Sequence, residues 1–414
     1  MWIVLLTALI AAGYAYHRSH KAAGGFEINH VTTFTLGFLF YWLLPTLLVT
    51  GLAGLSPESV DSVSNYFGDI PSHRLLGYEL SLLVLYCSFS LGDFLGAFPI
   101  AKARSRLRNG SFHPNLWYVA AAVVFLVFLA VLFEVRDQIF ASYDSADFIA
   151  RGTLVAVTIV MFSMSLRMAL ESRWGLMKIY FLLSISLLAM GGRLYFASSV
   201  ISVLSFLSHG KPIRARFLTM GGLVSIVTMG IIGVLRVHSQ ASFMVLFLNV
   251  ATESLFTSFS LFSYLSGNQI AWAHLPTYLL RDISNLIPSF FIDKHHIVSL
   301  TDSSYGIESP LGALNSWVSF NVNFGLIGTM FALFLFGYLM RRFERMTVSY
   351  LMLTGFTAFT FFRDPFSISI VKNMFEFSVL IPFLIEKGNQ LVAYSVAAGI
   401  QTESSGNASE GIAT

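Results

Sequence analysis

The chain has one cysteine, Cys87, in 414 residues, and only 11% of its side chains are charged. A single cysteine excludes an internal disulfide framework, a cysteine-rich metal site and a CxxC redox pair. Cys87 lies inside an apolar run and is expected to be a small core hydrophobe. Soluble domains carry about 25% charged residues, so the shortage of charge argues against an ordinary soluble fold. There is no Gly-rich phosphate loop, GxGxxG or Ser-His-Asp spacing. That removes the sequence grounds for a nucleotide-driven or hydrolytic enzyme, and no bound cofactor is expected. Energy would then come from an activated substrate.

What the chain has in abundance is hydrophobic surface: 55% hydrophobic residues, 15% aromatics and a mean hydropathy of +0.71. The runs Val31–Gly54, Leu75–Phe98, Leu116–Val135, Phe217–Leu235 and Phe324–Met340 approach the ~20 residues that span a bilayer. The sequence therefore reads as an all-α polytopic membrane protein, with aromatics for the two interfacial belts. The net charge of +3 follows from the excess of Lys and Arg in cytoplasmic loops, so nucleic acid is not a partner. Met1–Tyr16 resembles a signal core, but its basic cluster, Arg18 to Lys21, follows it. That order favours a retained anchor helix with its N-terminus outside.

Six segments hold 16 of the 25 Lys and Arg: Arg18/Lys21, Lys102–Arg108, Arg167–Lys178, Lys211–Arg216, Arg341–Arg345 and Lys387. With all six in the cytoplasm, successive segments are separated by even numbers of spans. Ile179–His209 must then form two short helices turning near Gly191-Gly192-Arg193. The total is about eleven spans, N-terminus out and C-terminus in. One long external loop, about 236–323, carries short interfacial or re-entrant helices at Ala241–Leu265 and Thr277–Phe291. Residues 1–386 form a single membrane domain. Residues 387–414 are a cytoplasmic tail, polar and disordered from about 401. Arg74 reads as a solvated loop residue, and Arg136 and Arg151 as interfacial ion pairs with Asp137 and Asp147.

Four arginines fall where the chain leaves the membrane on the outer side: Arg193, Arg236, Arg281 and Arg363. Arginine near hydrocarbon is expensive and asks for a partner. Its planar fork suits phosphate and diphosphate oxygens, so the set suggests a site for an anionic, lipid-linked substrate. Singly, each could also be an interfacial snorkeller. Four residues of the external loop are candidate acid–base groups. Glu253 sits in an apolar helix, as a base or an arginine counter-ion, and Asp282, His295 and Glu308 join it. His295-His296 could be a metal pair or an exposed loop pair, but with no HExxH or DxD partner no metal site is assigned. Asn315, Trp317 and Asn323 mix flat apolar faces with directional hydrogen bonds, as sugar-binding surfaces do.

In this order, Gly191-Gly192-Arg193, Leu235-Arg236, Leu279-Leu280-Arg281-Asp282, Ile287-Pro288-Ser289, Ser309-Pro310, Asn323-Phe324-Gly325-Leu326-Ile327-Gly328 and Phe362-Arg363-Asp364 resemble the bacterial O-antigen polymerase and oligosaccharide repeat-unit polymerase family. The likeness spans about Ile179–Phe383. The chain departs from it in one respect: no glycine follows eleven positions after Arg193, Arg236, Arg281 or Arg363, where Leu204, Phe247, Ile292 and Met374 stand. The resemblance implies glycosyl transfer at the periplasmic face of a bacterial inner membrane. A growing glycan on undecaprenyl diphosphate would be moved onto an incoming lipid-linked repeat unit. Its partners would be lipid-linked oligosaccharides, membrane lipid, and chain-length regulator and flippase proteins. A ligase of similar architecture would share donor and arginines. A lipid-oligosaccharide flippase would instead line a mid-depth cavity with charge.

Overall fold

Prolines mark where helices begin and where they change pitch. Pro114 opens a helix and Pro71 immediately precedes one, positions where a missing N–H costs little. Pro45 and Pro382 each fall two residues after a π-helical stretch, Phe38–Leu43 and Ser367–Leu380. A proline ring crowds the carbonyl four residues back, and the wider π turn relieves that crowding.

The computed structural model describes residues 2–20, 25–51, 70–98, 114–134, 136, 148–189, 192–209, 211–217, 219–222, 254, 257–276, 278–279, 307, 314–344, 347–364 and 367–388. Among them the secondary structure is helical, apart from isolated bridges that join Phe26 to His20 and to Ile213. The helices are α1 Trp2–Ser19, α2 His30–Gly37, α3 Leu44–Gly51, α4 Ser72–Gly96, α5 Pro114–Glu134, α6 Phe148–Leu170, α7 Gly175–Ala189, α8 Arg193–Ser208, α9 Ser316–Arg342, α10 Val348–Thr357 and α11 Thr360–Arg363. The π stretch Phe38–Leu43 joins α2 to α3, and the π-helix Ser367–Leu380 follows α11.

Among the described residues, four helices are long and apolar enough to cross a membrane: α4, α9, and the windows Trp117–Glu134 and Gly152–Leu170. The side-chain distribution is inverted relative to a soluble protein. Leu126, Leu182 and Phe331 are 64–67% exposed, while Ser198, Ser260, Thr354 and Asn315 are buried. Hydrocarbon is the surrounding that tolerates such an outer surface.

The central pair is α4 and α9, which run in the same direction. Trp317 donates to Ser81 at one end, and Gly96 meets Arg341 at the other. Gly92 and Gly96, four apart on α4, face α9, and Gly337 faces back at the Phe89 carbonyl. A methyl on Gly92 would land on the Phe334 carbonyl oxygen, and one on Gly96 would lie 2.7 Å from Arg341 Cβ. Small residues at this spacing let membrane helices pack backbone to backbone. α7 and α8 form the antiparallel hairpin that the basic flanks predict. Gly192 N–H donates to Leu187 O at 2.7 Å at the turn, and Trp174 packs at a tilt against Phe206 at the open end. α8 then packs along α10, where Gly355 admits Ser198 and Ser202.

A buried charge network ties five helices together at one end. Asp93 of α4 accepts from Tyr14 Oη at 2.6 Å and from Arg18 Nε at 2.8 Å, and its other oxygen lies 2.8 Å from His30 Nε2. His30 Nδ1 lies 3.1 Å from the Tyr350 hydroxyl. Arg18 also reaches Glu344, which pairs with Arg341 beyond α9. His30 and Asp93 are shut from solvent, at 0% and 1% side-chain exposure. Contacts then link this end to the other basic segments. Phe26 bridges Ile213, Ser205 and Ser208 bond to Ile28, and Arg167 pairs with Glu386. Five of the six basic segments therefore gather on one side. Lys102–Arg108 lies outside the described residues, though Phe98 just before it accepts from Arg342.

Several sequence expectations change. Cys87 is exposed on the outer face of α4 instead of in the core. The span expected at Phe324–Met340 begins at Ser316, so the last residues assigned to the external loop are helical and buried. The helix expected within Ala241–Leu265 is present over residues 257–267, with Leu261, Phe262 and Leu265 fully buried in one core with Trp42, Tyr78 and Trp317. Arg74 is no solvated loop residue, because its guanidinium donates to Leu265 O and Ser266 O at 3.1 and 2.7 Å. It caps the end of the 257–267 helix, where a cation is favoured. Arg136 lies over the Phe133 ring at 4.3 Å. Asp137, Asp147, the side chain of Arg151 and the tail 389–414 are outside the described residues.

Removing one member of a buried ion network leaves the others uncompensated, at about 3–5 kcal/mol. Asp93→Ala should therefore abolish most folded, detergent-extractable protein, whereas Arg136→Ala should be near neutral. Wild-type yield and melting temperature for Asp93→Ala would show that the bundle does not depend on the network.

Candidate functional site

The end opposite the basic segments is built by helix starts and turns. α8 begins at Arg193 and ends beside Ile28, so its 16 residues carry Arg193 ~24 Å from the charge network. α10 starts at the same network through Tyr350 and climbs antiparallel to α8, bringing Phe356 to 6.2 Å from Tyr195. α11 follows and closes on Arg363. Arg193 and Arg363 thus share one end of the α8–α10 pair, and Arg74 at the start of α4 belongs to the same side as Asn315.

The surroundings of the first two arginines differ. Arg363 Nη1 donates to Asp364 Oδ1 at 2.8 Å, with Asp364 almost buried. Arg193 is half-buried and occupies the first residue of α8, whose N-cap is Gly192 with no side-chain cap. A cation is disfavoured at a helix N-terminus, by roughly 0.3–1 kcal/mol. An anion placed there would be met by backbone N–H groups and the guanidinium together. The local chemistry favours an anionic group at this corner.

The three expected sugar contacts are all buried. Asn315 caps α9 by accepting from Trp317 N–H at 3.0 Å, and its own N–H donates to Ser260 Oγ at 2.9 Å. Its side-chain amide reaches Tyr41 O at 3.4 Å. Trp317 donates Nε1–H to Ser81 Oγ and packs edge-on against Tyr78. Both residues spend their polar groups inside the protein, so neither is presented to a ligand in this structure. Asn323 is also fully buried, donating to Ser319 O at 2.9 Å, but its Oδ1 has no hydrogen-bond partner among the described residues.

Two residues past Asn323, α9 breaks. Gly325 has φ +67°, and a Cβ there would lie 2.6 Å from Ala273 Cα. An extended strap, residues 271–274, fills the break. Leu326 and Ile327 N–H donate to the Ala271 and Trp272 carbonyls at 2.8 and 2.9 Å, and His274 N–H donates to Phe324 O at 3.3 Å. Asn321 holds the strap through Ala271 and accepts from Tyr264 Oη at 3.0 Å. Irregular backbone at membrane depth is tolerated only where protein or a cavity satisfies it, and here the strap does so. The Gly325 segment therefore sits within a helix instead of leading into one.

Arg236, Glu253, Arg281, Asp282, His295 and Glu308 lie outside the described residues. What sequence reading missed is the polar interior. Asp93 falls inside the apolar run Leu75–Phe98, His30 stands just before the run Val31–Gly54, and Arg74 reads as a loop residue. The Gly92-x3-Gly96 spacing beside Asp93 was the one local signal that a tight, buried junction sat there. No family model, curated protein or solved structure matches the chain.

Proposed function

We propose that this chain is a membrane glycosyltransferase of the bacterial inner membrane that polymerises undecaprenyl-diphosphate-linked oligosaccharide repeat units at the periplasmic face. The observation that carries the reading is the placement of Arg193 at an uncapped helix start, on the same end of the α8–α10 pair as Arg363. The gathering of the basic segments at the other end supports eleven spans with that end in the cytoplasm. The arginine end is then external.

In this reading Arg193, Arg363, Arg236 and Arg281 hold the donor diphosphate. The C1–O bond to the diphosphate breaks, the acceptor hydroxyl oxygen forms the new bond, and its proton passes to a carboxylate or histidine. Glu253, Asp282, His295 and Glu308 are the candidates for that proton. The leaving diphosphate gains negative charge as the bond breaks, and fixed guanidinium groups stabilise it where it forms. The charge network does not favour a flippase. Arg18, His30 and Asp93 sit within a turn of their helix ends, whereas a transporter site would lie at mid-depth.

Deleting the gene should collapse the long surface-glycan ladder to core plus one repeat unit on a gel. Loss of the single-repeat band as well would overturn the polymerase reading in favour of ligase or flippase. Reporter fusions at Arg108, Ser172 and Arg342 should report cytoplasm, and those at Asp144 and Asp293 periplasm. An external signal at Ser172 would break the span count.

Lysine keeps the charge of arginine but not its bidentate fork. Arg193→Lys and Arg363→Lys should therefore shorten the ladder sharply at unchanged protein level. Alanine should be worse, since each charge-assisted bond contributes about 1.5–3 kcal/mol. Full-length ladders from both lysine variants would reduce the arginines to interfacial anchors.

A further inference from the structure

Asn373 is the one fully buried side chain among the described residues with both amide atoms, Nδ2 and Oδ1, lacking a hydrogen-bond partner. It lies in the π-helix Ser367–Leu380, the element that follows Arg363 and packs against α10 and α11. The buried face of this helix is Asn373, Met374, Phe377 and Ser378. Met374 joins the core around Trp42, Phe361 and Phe362, and Phe377 joins the separate core around Phe162 and Phe356. Asn373 therefore faces the junction of the two cores. Its backbone carbonyl is occupied, accepting from Ser378 Oγ at 2.7 Å five residues on.

Burying an amide without partners is costly, and an apolar residue of similar size would suit a purely structural position better. Long π-helical segments are rare and are found at functional sites. The second orphaned amide group among the described residues is Asn323 Oδ1 on α9, which also packs against α11, where the Phe320 and Phe361 rings meet at a tilt, 5.7 Å apart. Two buried carboxamides with unspent groups thus flank the short helix that ends in Arg363.

We propose that Asn373, with Asn323, is a sugar-hydroxyl contact for the saccharide next to the diphosphate, a reading that rests on the function proposed above. A carboxamide offers a donor and an acceptor side by side, and so does a sugar hydroxyl pair. A phosphate only accepts, so it would satisfy half of Asn373. The arginines then read the anion and the amides read the sugar.

The test uses the full-length protein in detergent, with thermal shifts measured against two probes. One is undecaprenyl diphosphate, and the other is the lipid-linked oligosaccharide fraction extracted from the deletion strain. Asn373→Leu should fold at least as well as wild type and keep its apparent affinity for the bare diphosphate. It should lose at least tenfold in apparent affinity for the oligosaccharide. Asn373→Asp, which removes the donor and keeps the shape, should show the same split. Wild-type affinity for both probes in both variants overturns the proposal, as does an equal loss for both probes. A fall in folded yield for Asn373→Leu also overturns it, because the amide would then be holding the fold. If wild-type protein binds neither probe, the polymerase reading falls and this proposal with it, a pattern distinct from failure at Asn373 alone.

Discussion

The carboxylate of Asp93 is the point on which the bundle turns. It sits between Gly92 and Gly96, the two residues that let α4 and α9 touch backbone to backbone. That contact brings the end of α9, with Arg341 and Glu344, within reach of Arg18. A charge in this position would be prohibitive alone. It is tolerated because Arg18, His30 and Tyr14 supply donors from two further helices. Ion pairing and close packing are therefore one feature here, since neither geometry exists without the other.

The π stretch Phe38–Leu43 performs a similar task nearer the other end. Its carbonyl groups accept hydrogen bonds from side chains of other segments. Phe40 O accepts from Ser254, Tyr41 O from the Asn315 amide and Trp42 O from Tyr78 at 2.9 Å. Three other segments are thus held through one irregular turn. Pro45 explains the irregularity, because its ring lacks the N–H that Tyr41 O would otherwise receive. The polar residues of 254–267 follow from this arrangement. Without water in the bilayer core, a helix buried beside a π turn must bring its own hydroxyls.

The helical class, the span-length runs near α4 and α5, and the α7–α8 hairpin were legible because hydropathy and charge are one-dimensional signals. Even the hairpin, too short for two ordinary spans, followed from basic flanks on both sides. A helix within Ala241–Leu265 was legible, and residues 257–267 are helical, but the strap 271–274 and the start of α9 were not legible. Asn315 and Asn321 look like loop residues, yet they are buried because their partners come from segments far away in sequence. Polarity predicts a wet surface only when the partner is water. Trp317 misled for the same reason. Its indole N–H goes to Ser81, 236 positions earlier, a pairing no local pattern encodes. Arg193 at the start of α8 and Arg363 at the end of α11 stand at helix ends.

The two ends of the molecule are held by different physics. The basic end is locked by charge in a low-dielectric setting, where each pairing is strong and loss of one member is severe. The arginine end is held by small-residue contact between α8 and α10, at Ser198, Ser202 and Gly355, which fixes distance without consuming charge. Arg193 starts α8, and Arg363, paired with Asp364 at 2.8 Å, ends the short α11 that follows α10. Ion pairing in a low-dielectric setting at one end and close contact of small residues at the other thus hold one bundle by different means.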